Sequence, residues 1–543
     1  MAATPMQGMH SMWYDHYRGA VYPLDLDGTP SYRQPKLCAA SLLETCCAYI
    51  VRDANLTRIA IESVPPILCI HMMEAALKGN HDRSIQALMS RWMLKSLVLF
   101  KLVPNVFSSL LPLYEPLYQS DIVRQGLRYT TSLAHTFLEC LRQQSPTKLR
   151  HLDLTGFPTA EVILYYLTSH CMLVHNENRR NNMVTLYNQA VSLAEECAGA
   201  GGGKNQHSPL EIDMQNCLPS DISIEIKLDA FVTSESCHSE LCKALTVSSF
   251  PGARFRLIVE RLCITCLGGD RVNLLLKQVT PEQLKGLQLK YNSLRNMDFV
   301  RMAPVLQSFT SLTALDLSCN YINLYDNESM AVIMKQTFST LSKLERLDLS
   351  NNRLKNKLCT VLLGITHELK HIRLAACGLT LLDLSALAMF PYLESLEELD
   401  LSENNLTPCH FPLIPVLAKV SNRVRILEFQ ECGITDEVMN MLSYHLTFMP
   451  RLTYLNLGGN AWYSETTLKL ASHVSKLSSL RVFRLSYPQD CYFLGIDEDK
   501  TLEAEAKNAF RTSLHSALEQ AMTNGQQNEQ LKVVLDEITR AAE

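Results

Sequence analysis

The stretch Leu344-Glu345-Arg346-Leu347-Asp348-Leu349-Ser350-Asn351-Asn352-Arg353-Leu354 decides the fold. It reads Leu-x-x-Leu-x-Leu-x-x-Asn-x-Leu, and close copies, with Asn or Cys at the polar position, fill the second half of the chain. They begin at Leu284, Leu312, Leu344, Leu369, Leu396, Val424 and Leu452, and a truncated copy begins at Leu480. Successive starts lie 28, 32, 25, 27, 28, 28 and 28 residues apart. A fixed period of this length means stacked units, each burying its apolar face against its neighbours.

The phrase is that of a leucine-rich repeat, which predicts an α/β solenoid. Each Leu-x-Leu core is a short strand with its leucines inward, and the Asn or Cys sits where the chain turns. An Asn there can bond backbone groups of the turn and of the next repeat, which would otherwise be buried without partners. A repeat of this length has room for a helix opposite the strand, and residues 330–340 and 466–477 suit that role. Helices are wider than strands, so the expected shape is a horseshoe with parallel strands concave and helices convex.

Strand side chains alternate, so the residue between the paired leucines faces outward. In order these are Gln288, Asp316, Asp348, Arg373, Asp400, Glu428 and Asn456. Such an acidic row has two readings: an epitope for a basic protein, or a solvated face in which Arg373 pairs Asp348 and Asp400. Tyr454 is a candidate aromatic anchor on the same face, whereas Trp462 stands at a core position.

Outside the repeats, the pattern divides the chain. Residues 1–36 lack periodicity and are expected to be a flexible extension. Residues 37–145 have helical spacing, with helices expected at 41–55, 66–78, 84–101 and 121–143. Residues 146–280 are expected to hold degenerate repeats, with a first strand at 149–154, helices at 159–171 and 182–196, and a flexible glycine linker at 199–208. A strand at 222–228, a helix at 236–245 and a strand at 255–264 follow. The clear repeats occupy 281–495, and helices at 502–522 and 529–542 would form a cap over 496–543.

Composition narrows the function. The 543 residues are 47% hydrophobic and 19% charged, with a net charge of −5. This describes a folded chain and argues against a nucleic-acid binder, which usually shows a basic excess. No apolar run is long enough for a membrane span, and the first thirty residues lack the core of a signal peptide. The 18 cysteines lack a regular frame and are read as reduced. These features predict a cytoplasmic location, with the nucleus as the further compartment open to such a chain. The glycine run before Lys204 has the wrong spacing for a phosphate loop, and Cys263-Ile264-Thr265-Cys266 lacks the second pair that zinc needs. No catalytic constellation emerges, so the chain is expected to be no enzyme and to need no cofactor or metal.

Two short motifs lie in the helical region. In Ser41-Leu42-Leu43-Glu44-Thr45-Cys46-Cys47-Ala48-Tyr49-Ile50, the residues Leu42, Cys46 and Ile50 form one apolar helical stripe. In Val64-Pro65-Pro66-Ile67-Leu68-Cys69-Ile70-His71-Met72, the residues Val64, Leu68 and Met72 share a face behind a helix-starting Pro65. By spacing alone both stripes read as core, or as ridges that enter a partner's groove.

The first motif resembles the elongin-binding box of suppressor-of-cytokine-signalling and von Hippel–Lindau-type receptors. The second resembles the box that follows it in receptors selecting cullin-2. The whole layout over 37–495 resembles the family of preferentially expressed antigen of melanoma and leucine-rich-repeat-containing protein 14. The resemblance is carried by Ile61-Glu62-Ser63-Val64-Pro65 leading to Ala75-Ala76-Leu77-Lys78-Gly79-Asn80-His81-Asp82, and by Leu149-Arg150-His151-Leu152-Asp153-Leu154-Thr155-Gly156. Phe429-Gln430-Glu431-Cys432-Gly433-Ile434-Thr435-Asp436 and Tyr487-Pro488-Gln489-Asp490-Cys491-Tyr492 carry it further. The chain departs from the family's second box by Pro66 and Ile67, where a polar pair is usual.

The resemblance implies a non-enzymatic substrate receptor of a cullin-2 ubiquitin ligase. Elongin C, with elongin B, would dock on Leu42, Cys46 and Ile50, and cullin-2 on Val64, Pro65, Leu68 and Met72. The target would lie on the concave residues Asp316, Asp348, Arg373, Asp400, Glu428, Tyr454 and Asn456. The alternative it implies is a binding inhibitor of a signalling or transcription complex, of the NF-κB kind, without ligase function.

Overall fold

In a computed structural model, residues 41–102, 121–142, 145–158, 224–249, 255–325, 327–460, 462–494, 500–523 and 531–536 are described. The extension 1–36, the helices expected at 159–171 and 182–196 and the linker 199–208 lie outside the described residues. Contacts divide the chain into two units, Met1–Asn292 and Ser293–Glu543.

The first unit opens with four helices, α1 (Leu42–Ile50), α2 (Ala54–Ser63), α3 (Pro66–Lys78) and α4 (Asp82–Ser90). There follow β1 (Ser96–Val98), α5 (Leu99–Leu102), α6 (Asp121–Arg142), β2 (His151–Pro158) and β3 (Ile224–Val232). The unit ends with α7 (Glu235–Ser248), β4 (Phe255–Ile264), α8 (Gly269–Leu276) and β5 (Gly286–Gln288). Its five strands are parallel and lie side by side in chain order.

Two helical expectations change here. The helix expected at 41–55 is broken by the turn at Val51–Asp53, because the Asp53 carboxylate accepts the Asn55 N–H (2.7 Å) and caps a new helix. The helix expected at 84–101 stops at Ser90, and Ser96–Val98 becomes the first strand of the sheet. Leu97, 2% exposed, pairs with Leu152, and the Lys95 carbonyl accepts the N–H groups of Arg150 (2.8 Å) and His151 (3.0 Å). An apolar run this short is consistent with either period, and pairing decided it.

The second unit repeats one theme. Helices α9 (Asn296–Leu306), α10 (Glu328–Thr340), α11 (Leu358–Leu362), α12 (Leu381–Met389), α13 (His410–Val420), α14 (Asp436–Leu446) and α15 (Ser464–Val474) alternate with strands. The strands are β6 (Ala314–Asp316), β7 (Arg346–Asp348), β8 (His371–Arg373), β9 (Glu398–Asp400), β10 (Ile426–Glu428), β11 (Tyr454–Asn456) and β12 (Val482–Ser486). Adjacent strands are parallel, with the repeat leucines in register: Leu315, Leu347, Ile372, Leu399, Leu427, Leu455 and Phe483. All seven are at most 2% exposed. Strands stack about 4.8 Å apart and helices about 8–10 Å apart, so the strands of this unit take its inner face. This is the leucine-rich-repeat architecture that the period predicts.

After β12 come a short antiparallel pair, β13 (Tyr492–Leu494) with β14 (Lys500–Leu502), then α16 (Ala504–Thr523) and β15 (Lys532–Asp536). The last helix expected at 529–542 is therefore corrected: Lys532-Val533-Val534-Leu535-Asp536 is a strand lying parallel to β12. Two adjacent β-branched valines favour a strand, and β12 supplies an otherwise unpaired row of backbone groups. The Arg484 guanidinium bonds the Asp536 carboxylate at 2.9 Å.

The repeat asparagines act as internal caps. The Asn404 carboxamide donates to the carbonyls of Leu374 (2.9 Å), Leu401 (2.9 Å) and Ser402 (3.1 Å) and accepts the N–H groups of Cys377 and Leu379 (both 3.1 Å). Asn352 and Asn460 do the same in their repeats. The neighbour served is the preceding repeat, not the next one. Cys377 and Cys432 stand at the same position, and their thiols reach the carbonyls of Leu349 and Leu401 (3.3 Å each).

The residue just before each of these polar positions is left-handed. Tyr291, Cys319, Asn351, Ala376, Glu403, Glu431 and Gly459 have φ between 51° and 73°. Only Gly459 among them adopts that φ without the steric cost a Cβ brings. A different glycine is needed for space: a Cβ on Gly364 would lie 2.4 Å from the Lys335 carbonyl oxygen and 2.9 Å from its Cα. Gly364→Ala is therefore expected to lower stability by about 1–3 kcal/mol, as overpacking does. A thermal melt followed by circular dichroism checks this, and an unchanged midpoint would refute it.

Candidate protein-binding surfaces

In the first unit the candidate surface is built on α1. Ser41 and Glu44 close a capping box at its start, with the Ser41 N–H donating to the Glu44 carboxylate at 2.7 Å and the Glu44 N–H to the Ser41 hydroxyl at 3.2 Å. These bonds to Ser41 hold the Glu44 carboxyl below its ordinary pKa. The far end is pinned by buried hydroxyls. Thr57 Oγ1 donates to the Ile50 carbonyl (3.1 Å), and Ser84 Oγ donates to the Val51 carbonyl (2.7 Å).

The helix turns Cys47 (4% exposed) and Val51 (0%) into the core and leaves Leu42 79% exposed. Cys46 and Tyr49 are exposed as well, and Ile50 is half-buried. The stripe formed by Leu42, Cys46 and Ile50 is thus the outer side of a helix fixed at both ends, not part of the core. The second motif divides differently. Pro65 is exposed, Val64 and Leu68 are half-buried, and Met72 is 1% exposed. Met72 packs in the core of α3 and offers a partner nothing, which corrects its place in a docking stripe. The sequence marks Ile67 only as a departure from the second box, yet it stands 60% exposed on the first turn of α3. Leu43 and Tyr49 were missed.

In the second unit, strand register places Asp316, Asp348, Arg373, Asp400, Glu428 and Asn456 in one row across β6–β11. Their carboxylates and carboxamide are already employed. Asp316, Asp348 and Asp400 accept the N–H of Ser318, Ser350 and Ser402 at 2.8–2.9 Å, and Asn456 accepts that of Gly458 at 3.1 Å. Each closes a turn onto the residue two places on. Asp400 and Asn456 are 9% and 2% exposed. The Tyr454 ring, at 3%, is buried, so the expected exposed anchor is absent there. Trp462, at 2%, packs in the core with its indole N–H bonded to the Ile434 carbonyl (2.5 Å).

A second row stands on the same face, two residues earlier in each strand. Arg346 Nη2 meets His371 Nε2 (3.2 Å), His371 Nδ1 meets Glu398 (3.1 Å), and Arg373 Nε donates to Glu398 (2.7 Å). Burial and then Arg346 push the His371 pKa down, so the ring is neutral, and this geometry puts its proton on Nδ1. The two-residue strand period was the available signal for this row. Burial, with the charge of Asp316, pushes the Asp348 carboxyl up to about 7 against the pull of Arg373. Burial, with Glu428, does the same to Asp400, also to about 7. The strand face is therefore a mixed-charge network whose polar atoms hold one another in place.

Cys263 is buried with its thiol on Gln288 (3.1 Å), whereas Cys266 is exposed. No metal-binding cluster occurs among the described residues, and no described helix is long and apolar enough to cross a membrane. The 14 described cysteines are free thiols.

Residues 245–527 match the profile of the PRAME C-terminal domain, just over half of the chain. Leucine-rich repeat-containing protein 14 of Xenopus laevis is 26% identical over 479 residues, covering 83% of this chain and 88% of that protein. PRAME family member 20 of Homo sapiens is 26% identical over 203 residues, covering 35% of this chain and 42% of that one. Among solved structures, the leucine-rich repeat-containing protein LegL7 from Legionella pneumophila is 16% identical, covering 58% of this chain and 96% of that one, with a TM-score of 0.33.

Proposed function

Because this chain belongs to the PRAME family of leucine-rich-repeat proteins, we propose that it is a non-enzymatic substrate-recognition adaptor of a cullin-2/elongin B/C ubiquitin ligase. The supporting observation is the outer stripe of α1. Leu42 and Cys46 stand exposed on a helix held at both ends, while the parallel stripe through Cys47 and Val51 makes the core contacts. A hydrophobic ridge that is exposed and pre-ordered loses little entropy on entering a partner's groove. Elongin C would take Leu42, Cys46 and the half-buried Ile50. Cullin-2 would lie against Val64, Pro65 and Leu68, with Ile67 replacing Met72 as an outward apolar contact. The strand face of the second unit would hold the target, and the chemistry would belong to the partner enzymes.

The test is recovery of elongin C on the full chain, comparing wild type with Leu42→Ala/Cys46→Ala. The expected result is at least a tenfold loss of elongin C, or about 1.4 kcal/mol, with an unchanged thermal melt. Equal recovery by both proteins refutes the adaptor reading. The burial of Met72 and the Pro66-Ile67 departure favour a second reading, in which the repeats occupy a signalling or transcription partner, of the NF-κB kind, without cullin-2. A partner whose lifetime is indifferent to this chain and to Leu42 would fit that reading instead.

A further inference from the structure

The start of α9 and the loops that follow β6 and β7 line one rim. Arg295 bridges Tyr321, and Asn323 bridges Arg353, as isolated parallel backbone pairs along it. Arg295, Asn296, Met297, Tyr321 and Asn323 line an open cavity of about 460 Å³. Its apolar parts face solvent: Met297 is 65% and Tyr321 67% exposed. Its floor is fixed, since the Asn296 carboxamide donates to the Asn323 carbonyl (2.7 Å) and accepts the Asn323 N–H (2.8 Å).

Cations gather at this rim. The Arg353 guanidinium and the Lys355 ammonium each lie 4.7 Å from the centre of the Tyr325 ring. Two positive charges on one ring repel each other, and the ring quadrupole offsets part of that cost. Among the described residues, no carboxylate lies within ion-pair distance of the Arg295, Arg353 or Lys355 side chains. Asp298 accepts the backbone N–H of Arg295 (2.9 Å), and Glu328 is paired with Lys357 (2.5 Å). The chain as a whole is acidic, at −5, so this concentration of cations does not reflect a general basic excess.

We infer that this rim recognises an acidic segment of a partner protein. One apolar side chain of the segment would enter the opening between Met297 and Tyr321, while flanking carboxylates meet Arg295, Arg353 and Lys355. Tyrosine and arginine are the residue types that most often dominate interfaces, and an ordered floor lowers the entropic cost of binding. The inference does not rest on the ligase reading, because the rim lies in the second unit and uses none of the α1 or α3 residues.

The test uses the full chain and a fluorescein-labelled peptide with one leucine among glutamates. The lysine counterpart of that peptide and an oligothymidylate serve as comparisons. Saturable binding of the glutamate peptide is expected to weaken with added salt and to fall about tenfold in Arg353→Glu/Lys355→Glu. Binding that is absent, equal in the variant, or matched by the lysine peptide overturns the inference. Tighter binding of the oligothymidylate, lost in the same variant, would make the rim a nucleic-acid site and also overturn it. A photoreactive group at the leucine gives a readout without any variant: crosslinks to Met297 or Tyr321 support the site, and crosslinks confined to other segments refute it.

Discussion

Replacing Asn404 with alanine is expected to destabilise the second unit by about 3–5 kcal/mol. The side chain is 1% exposed and serves five backbone groups, three carbonyls and two N–H groups. Alanine removes every one of these bonds. Each bond contributes about 0.5–1 kcal/mol net, and the five together set the size of the loss. The effect should cross a repeat boundary, because Leu374, Cys377 and Leu379 belong to the preceding repeat. Hydrogen exchange reads this directly: protection of the Cys377 and Leu379 amides should fall along with that of the Asn404 turn. Asn404→Cys should recover part of the loss, since Cys377 and Cys432 fill the equivalent position and reach the corresponding carbonyl. An alanine variant with unchanged stability and exchange would contradict the capping role.

Asp348→Asn/Asp400→Asn is expected to stabilise the protein at pH 8 by about 2–4 kcal/mol, with the gain shrinking as pH falls toward 5. Burial raises both carboxyls to about 7, and Asp316 and Glu428 add to the effect on Asp348 and Asp400 respectively. The folded chain thus binds these protons more tightly than the unfolded chain, whose aspartates titrate near 3.8. The stabilisation from protonation is therefore full below the unfolded value and lost as pH rises through about 7. Asparagine imitates the protonated acid at every pH. It also keeps the oxygen that accepts the N–H of Ser350 or Ser402, as Asn456 does for Gly458. Urea unfolding of both proteins from pH 5 to 8 checks the prediction. Parallel stability profiles would show that these carboxylates are not strained in the fold.

This result would bear on the strand face as a binding surface. A row of aspartates read from the sequence suggests unspent negative charge awaiting a basic partner. The structure has each carboxylate closing a turn, with Arg373, Arg346 and His371 in or beside the row. A target on this face must compete with bonds already made, which favours selectivity over raw electrostatic attraction.

What the sequence determined by itself is the repeat and its consequences. Leucines at a fixed spacing can be buried only by stacking, and stacking in register fixes the order, direction and alignment of strands β6 to β12. The buried asparagines were legible for the same reason, since a polar group at a core position must be bonded. Tertiary structure decided the rest. On α1, Leu42, Cys46 and Ile50 form one apolar stripe, and Leu43, Cys47 and Val51 form another at the same spacing. Periodicity cannot rank two such stripes, and only packing shows that Cys47 and Val51 of the second supply the core contacts while Leu42, Leu43 and Cys46 stand exposed. Likewise β1 and β15 are short apolar runs that became strands because β2 and β12 offered them unpaired backbone. Tyr454, whose register partners on the adjacent strands are Ile426 and Val482, is buried. Local spacing fixes what a segment can become, and contacts distant in sequence settle which of its faces meets the solvent.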